Sequence, residues 1–124
     1  MTQENKELLL KDLCARLPYG VKIQVPYEDG SGYFDETVWE VDNEGPFHVN
    51  GWGIEYEYVK PYLFPLSSMT EEQKKEYQYI TERWMNDPAY SISDSIDWLN
   101  KNHFDYRGLI PMGLAIDATG LNIY

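Results

Sequence analysis

Hydrophobic and polar positions alternate with two different periods along this chain, and the change of period marks its parts. Residues 4–17 place Leu9, Leu10, Leu13, Cys14 and Leu17 at helical spacing, with Lys6, Glu7, Lys11 and Asp12 outside that stripe. Thr2 or Asn5 is the available N-cap. Pro18 and Gly20 end the segment, because proline cannot continue a helix and glycine lets the chain turn. The period then shortens to two. Val21, Ile23 and Val25 face one way and Lys22 and Gln24 the other, which predicts a half-buried strand over 21–27.

Three more strands are expected over 33–41, 47–49 and 52–59. Glu28-Asp29-Gly30-Ser31-Gly32 reads as the first hairpin turn and Asn50-Gly51 as a two-residue turn. In the second strand Tyr33, Thr37, Trp39 and Val41 share a side. Asp35 falls on that side too, so a bulge near Asp35 or Glu36 is expected to restore the parity. In the fourth strand Ile54, Tyr56 and Tyr58 alternate with Glu55 and Glu57. Residues 60–66 are apolar, but Pro61 and Pro65 argue against a regular central strand, so an extended connector is expected there.

Thr70 followed by Gln73 reads as a capping box for a helix running to about Met85, with Gln73, Tyr77, Ile80 and Trp84 on one stripe. A third helix, capped at Ser91 or Ser93, should run to about Asn102, with Ile92, Ile96, Leu99 and Trp98 inward. Beyond Phe104 the chain is apolar but broken by glycine and proline, giving a helical turn and an extended piece. The fold class is therefore α+β. A small antiparallel sheet of three to four strands is expected, with one N-terminal and two C-terminal helices packed on one of its faces.

Length adds that 124 residues make a single domain, 1–124, able to bury a core without staples. Charge changes the picture more. The chain carries a net charge of −11. Residues 21–60 hold nine acids against Lys22 and Lys60, a net of −7, so the strand region is the acidic part. Such a surface repels nucleic acid and anionic membrane and favours a basic protein partner. No stretch approaches the ~20 apolar residues of a membrane span.

Candidate chemistry is thin. Cys14, the single cysteine, lies on the apolar stripe and reads as a core residue. A calcium loop beginning at Asp29 fails, since Phe34 stands where the sharp turn needs glycine. One cysteine and two histidines make no zinc site, so no metal and no cofactor are expected. His48 faces opposite Phe47 and Val49, and His103 lies at a helix C-terminus where an imidazolium suits the dipole. No catalytic set is found. Glu55 and Glu57 share a strand face at ~7 Å, a spacing that could serve acid–base chemistry on a sugar.

Aromatic content is the strongest anomaly, with eleven tyrosines and four tryptophans. Such side chains anchor protein interfaces. Tyr27, Tyr33, Trp52, Tyr62 and Tyr106 fall near turns or ends and are candidates for exposure. The binding residues expected are Trp52, Glu55, Glu57, His48, Tyr33 and Tyr62. The first functional expectation is a non-enzymatic accessory module that binds a basic protein through an acidic aromatic surface. The alternative is a small-molecule or carbohydrate-binding protein, with enzymatic use of its carboxylates as an option within it. A homodimer sealed by the aromatic patch is the structural alternative to both.

Several phrases of the chain occur together: Leu13-Cys14-Ala15-Arg16-Leu17-Pro18-Tyr19-Gly20-Val21, Lys60-Pro61-Tyr62-Leu63, Ser67-Ser68-Met69-Thr70-Glu71-Glu72, Asp97-Trp98-Leu99-Asn100 and Asp105-Tyr106-Arg107-Gly108-Leu109-Ile110. In these the chain resembles a group of short uncharacterised proteins of gut Bacteroides relatives and their phages or mobile elements. The resemblance implies a bacterial, cytoplasmic setting. It brings no activity and assigns no role to any residue.

Overall fold

The computed structural model describes residues 1–38 and 58–124, together with the backbone of residues 47–49 and 52–54. Its elements are α1 (Gln3–Arg16), β1 (Lys22–Pro26), β2 (Tyr33–Thr37), β3 (Phe47–Val49), β4 (Trp52–Ile54), β5 (Lys60–Pro65), α2 (Glu71–Asn86), α3 (Ile92–Lys101), β6 (Phe104–Asp105) and β7 (Ile116–Asp117). Short 3₁₀ turns lie at Leu17–Tyr19 and Leu66–Ser68. The fold is α+β, as the periodicity predicts.

Local chemistry sets the helix starts. Thr2 accepts from Asn5 N–H at 3.1 Å. Thr70 and Gln73 form the full capping box, at 3.1 and 2.9 Å. Ser91 accepts from Ser93 N–H while the Asp94 carboxylate accepts from Ser91 N–H. These bonds satisfy donors that have no partner within the helix.

The sheet corrects the expectation in two ways. It is mixed rather than wholly antiparallel, and β3 and β4 are not in it. Its strand order is β2-β1-β5-β6, with β7 also on β5, while β3 and β4 form a separate antiparallel pair. Strands β1 and β2, and β1 and β5, pair antiparallel; β6 and β7 pair parallel to β5. The chain leaves β5, passes through α2 and α3, and returns as β6, the kind of crossover that a parallel pair requires. Two-residue strands such as β6 and β7 carry no periodicity of their own.

A third correction concerns residues 60–65, which form the strand that joins the others rather than a connector. The prolines are tolerated for a positional reason. Phe64 N–H donates to His103 O on one edge of β5, and Leu63 O accepts from Ala118 N–H on the other. By alternation Pro61 and Pro65 point their missing donors to the Leu63 edge, on either side of the short β7 contact. On the Phe64 edge, the Tyr124 hydroxyl fills the gap between β1 and β6. It accepts from Lys22 N–H at 2.9 Å and donates to Tyr62 O at 2.8 Å.

One hydrophobic cluster joins Leu9 and Leu13 of α1 to Val21 and to Ile23 and Val25 of β1, with Leu63 and Leu109. A second joins Trp98, Leu99 and Phe104, with Tyr77, Ile80 and Phe64 against them. The α1 face corrects the predicted stripe. Leu9 and Leu13 are buried as expected, but Asp12 and Arg16 complete the inner face and Cys14 is exposed. Ile92 also lies outside, at the first turn of α3, where Ser95 takes the buried position.

Candidate functional site

The β1–β2 hairpin brings the exposed acids and aromatics together. Its ladder runs without a bulge from Lys22 opposite Thr37 to Pro26 opposite Tyr33. Opposed residues share a face, so Phe34 and Glu36 lie on the side of Ile23 and Val25. Tyr33, Asp35 and Thr37 lie on the side of Gln24. The expected parity fault at Asp35 is thus resolved without a bulge: the Tyr33 side is the solvent side. Tyr33 is 64% exposed and Tyr27, at the hairpin end, 48%. The Tyr27 ring stays near Phe34, centroid to centroid 5.1 Å. Residues 27–38 contain Glu28, Asp29, Asp35 and Glu36 and no lysine or arginine. The Asp29 carboxylate accepts from Ser31 N–H at 2.9 Å, and this bonding to Ser31 holds its pKa below the ordinary carboxylate value.

A polar row crosses this face. The Tyr62 hydroxyl of β5 donates to Asp35 Oδ1 at 2.5 Å and accepts from Gln24 Nε2 at 3.2 Å. Burial, then the Asp35 carboxylate, pushes the Tyr62 pKa up. Tyr62 is only 4% exposed, which corrects its reading as a surface anchor: a residue on a strand flanked on both edges is covered where a connector residue would not be. Of the residues expected to bind, Tyr33 and Tyr62 share one sheet face, with only the first accessible. His48 and Trp52 belong to β3 and β4, where His48 pairs with Gly53 and Trp52 with Val49. Their side chains, and Glu55 and Glu57 entirely, lie outside the described residues.

A second charged constellation lies inside the fold, among residues that the hydropathy pattern places outside the core. The Arg16 guanidinium donates to both Asp12 oxygens, Nε at 2.9 Å and Nη2 at 3.2 Å, and Nη2 also donates to Phe104 O at 2.5 Å. Neither side chain of this pair has accessible surface. Arg107 Nε stands 3.3 Å from Asp12 Oδ1, and its Nη2 donates to the Tyr106 hydroxyl, which donates to Asn100 Oδ1. Both guanidinium carbons lie over the Tyr106 ring, at 5.4 and 4.9 Å. The knot ties α1 to the α3–β6 connection. Its sequence signal is the Asp12–Arg16 spacing of four on the same stripe as Leu9 and Leu13, which permits an ion pair along one helix face.

His103 is also inward. It has a left-handed backbone, φ 60°, directly after α3, and its ring stacks on Tyr124 at 3.8 Å. Burial, with Arg16 and Lys22 nearby, lowers its pKa to about 4, so the imidazole is neutral rather than the imidazolium expected at a helix end. Tyr124 keeps 43% of its surface accessible, yet its hydroxyl is enclosed by β1 and β5, and burial raises its pKa to about 12. Lys22 Nζ donates to Ile123 O at 2.8 Å, securing the same segment.

Cys14 is exposed, but partial burial of its thiol raises the pKa, the wrong direction for a nucleophile. Among the described residues no group of three or more His, Cys, Asp or Glu side chains could hold a metal ion. No helix among them is long and apolar enough to cross a membrane. The chain matches no protein-family model, no curated protein and no solved structure.

Proposed function

We propose that this protein is a non-enzymatic accessory module that binds a basic protein partner through the acidic, aromatic hairpin of β1 and β2. The observation that carries this reading is Tyr33, 64% exposed on β2 beside Asp35, in a stretch with four carboxylates and no base. A tyrosine presents a large rigid surface at low entropic cost, and the surrounding carboxylates attract and orient a cationic partner. The alternative, a sugar or small-molecule site, draws on the Gln24–Tyr62–Asp35 row next to that same tyrosine.

The test is affinity capture from a bacterial lysate with the wild-type chain and with Glu28→Lys/Tyr33→Ala, at low salt and at about 0.5 M salt. The wild type should recover a basic protein at low salt and lose it at high salt. The double variant should not recover it under either condition. Equal recovery by both chains, or no protein recovered by the wild type, overturns the reading.

A further inference from the structure

Two backbone hydrogen bonds fix which way the main chain of β2 points. Tyr27 N–H donates to Gly32 O at 2.9 Å and Val38 N–H donates to Val21 O at 3.0 Å. They bracket the β1–β2 ladder, so the bonded pairs between them are Val25 with Phe34 and Ile23 with Glu36. The N–H and C=O groups of Tyr33, Asp35 and Thr37 must then point away from β1. Among the described residues no strand pairs with that side, and the β3–β4 hairpin pairs only with itself. Donors and acceptors thus recur along the outer edge every second residue, about 6.8 Å apart.

We infer that the outer edge of β2 is the docking line, and that a basic, extended segment of the partner adds to it as a further strand. This rests on the protein-binding reading and specifies its mode. Open edges invite pairing with any extended chain, and side-chain charge selects among the candidates. Two copies of this protein meeting antiparallel about Asp35 would set Asp35 opposite Asp35, and like charges directly opposite are destabilising. The same carboxylates attract a strand bearing lysine or arginine. Alternation further asks for basic side chains on the face of Asp35 and apolar ones beside Phe34.

The probe is an eight-residue peptide of alternating lysine and valine. Hydrogen–deuterium exchange on the wild-type chain should show the amides of Tyr33, Asp35 and Thr37 slowed at least about tenfold by the peptide. Those of Phe34 and Glu36, already bonded to β1, should change less. Peptide bound without that pattern overturns strand addition. The complementary variant is Thr37→Pro. It removes one outward donor and keeps every carboxylate and every bond to β1, as an edge strand allows. It should weaken the peptide about tenfold or more. If Thr37→Pro binds normally while Glu28→Lys/Tyr33→Ala does not, the protein-binding reading stands and strand addition falls. A peptide with glutamate in place of lysine should not bind. Equal binding of the two peptides removes the charge argument, and no binding of the lysine peptide overturns the inference.

Discussion

Asp12 and Asp35 are the same side chain in opposite settings. Asp12 has no accessible surface, accepts two bonds from Arg16 and faces Arg107 as well. Asp35 lies on an edge strand, exposed, with the Tyr62 hydroxyl as its neighbour. The first is committed to the interior; the second retains accessible surface. Hydropathy alone places both outside the core, and it is right about only one. What separates them is company. Asp12 has an arginine one helical turn away on the buried face, which makes its burial tolerable, while residues 27–38 offer Asp35 no base at all.

The largest test of this contrast is Asp12→Ala. It leaves the buried Arg16 guanidinium without its counter-charge and should cost about 3–5 kcal/mol by urea unfolding. Replacing both partners, Asp12→Leu/Arg16→Met, should recover much of that loss, since the fully buried guanidinium is then gone and only the partly exposed Arg107 loses its neighbour. A cost below about 1 kcal/mol for the single variant would place the knot with ordinary surface pairs.

His103 gives the next effect, through pH. Its folded pKa, about 4, is below the ordinary 6.5, so the unfolded chain takes up the proton first. Stability should be unaffected by this group above pH 6.5, fall by about 3 kcal/mol between pH 6.5 and 4, and not fall further on its account. His103→Asn suits the left-handed backbone and should flatten that slope in unfolding curves taken across the range. Tyr124→Phe removes the hydroxyl between Lys22 N–H and Tyr62 O and should cost about 1–2 kcal/mol in the same assay. Smallest is Tyr33→Ala, expected within about 0.5 kcal/mol of wild type, because the side chain is mostly in water.

Signals contained within a few residues are legible in the sequence. The Thr70–Gln73 capping box and the alternation of Val21, Ile23 and Val25 need only local chemistry. The rest depends on distant partners. Asp12 and Arg16 are buried where Phe104 O accepts from Arg16 and Arg107 approaches Asp12, both from the far end of the chain. Pro61 and Pro65 fit a flanked strand because their missing donors share an edge that β7 touches only briefly. Tyr62 is covered for the same topological reason. The β6 and β7 strands are too short to show a period, so the parallel half of the sheet has no signal in the sequence. At the site, the alternation of β2 makes Asp35 a fault in a buried face, whereas the ladder shows that it marks the exposed one.

The most direct test captures partners side by side with the wild-type chain, the edge variant Glu28→Lys/Tyr33→Ala and the interior variant Asp12→Leu/Arg16→Met, at low salt. The wild-type and interior-variant chains should recover the same basic protein, and the edge variant should not. Recovery by the edge variant, or its loss by a folded interior variant, would contradict the assignment of binding to β2 and of the ionic knot to the fold.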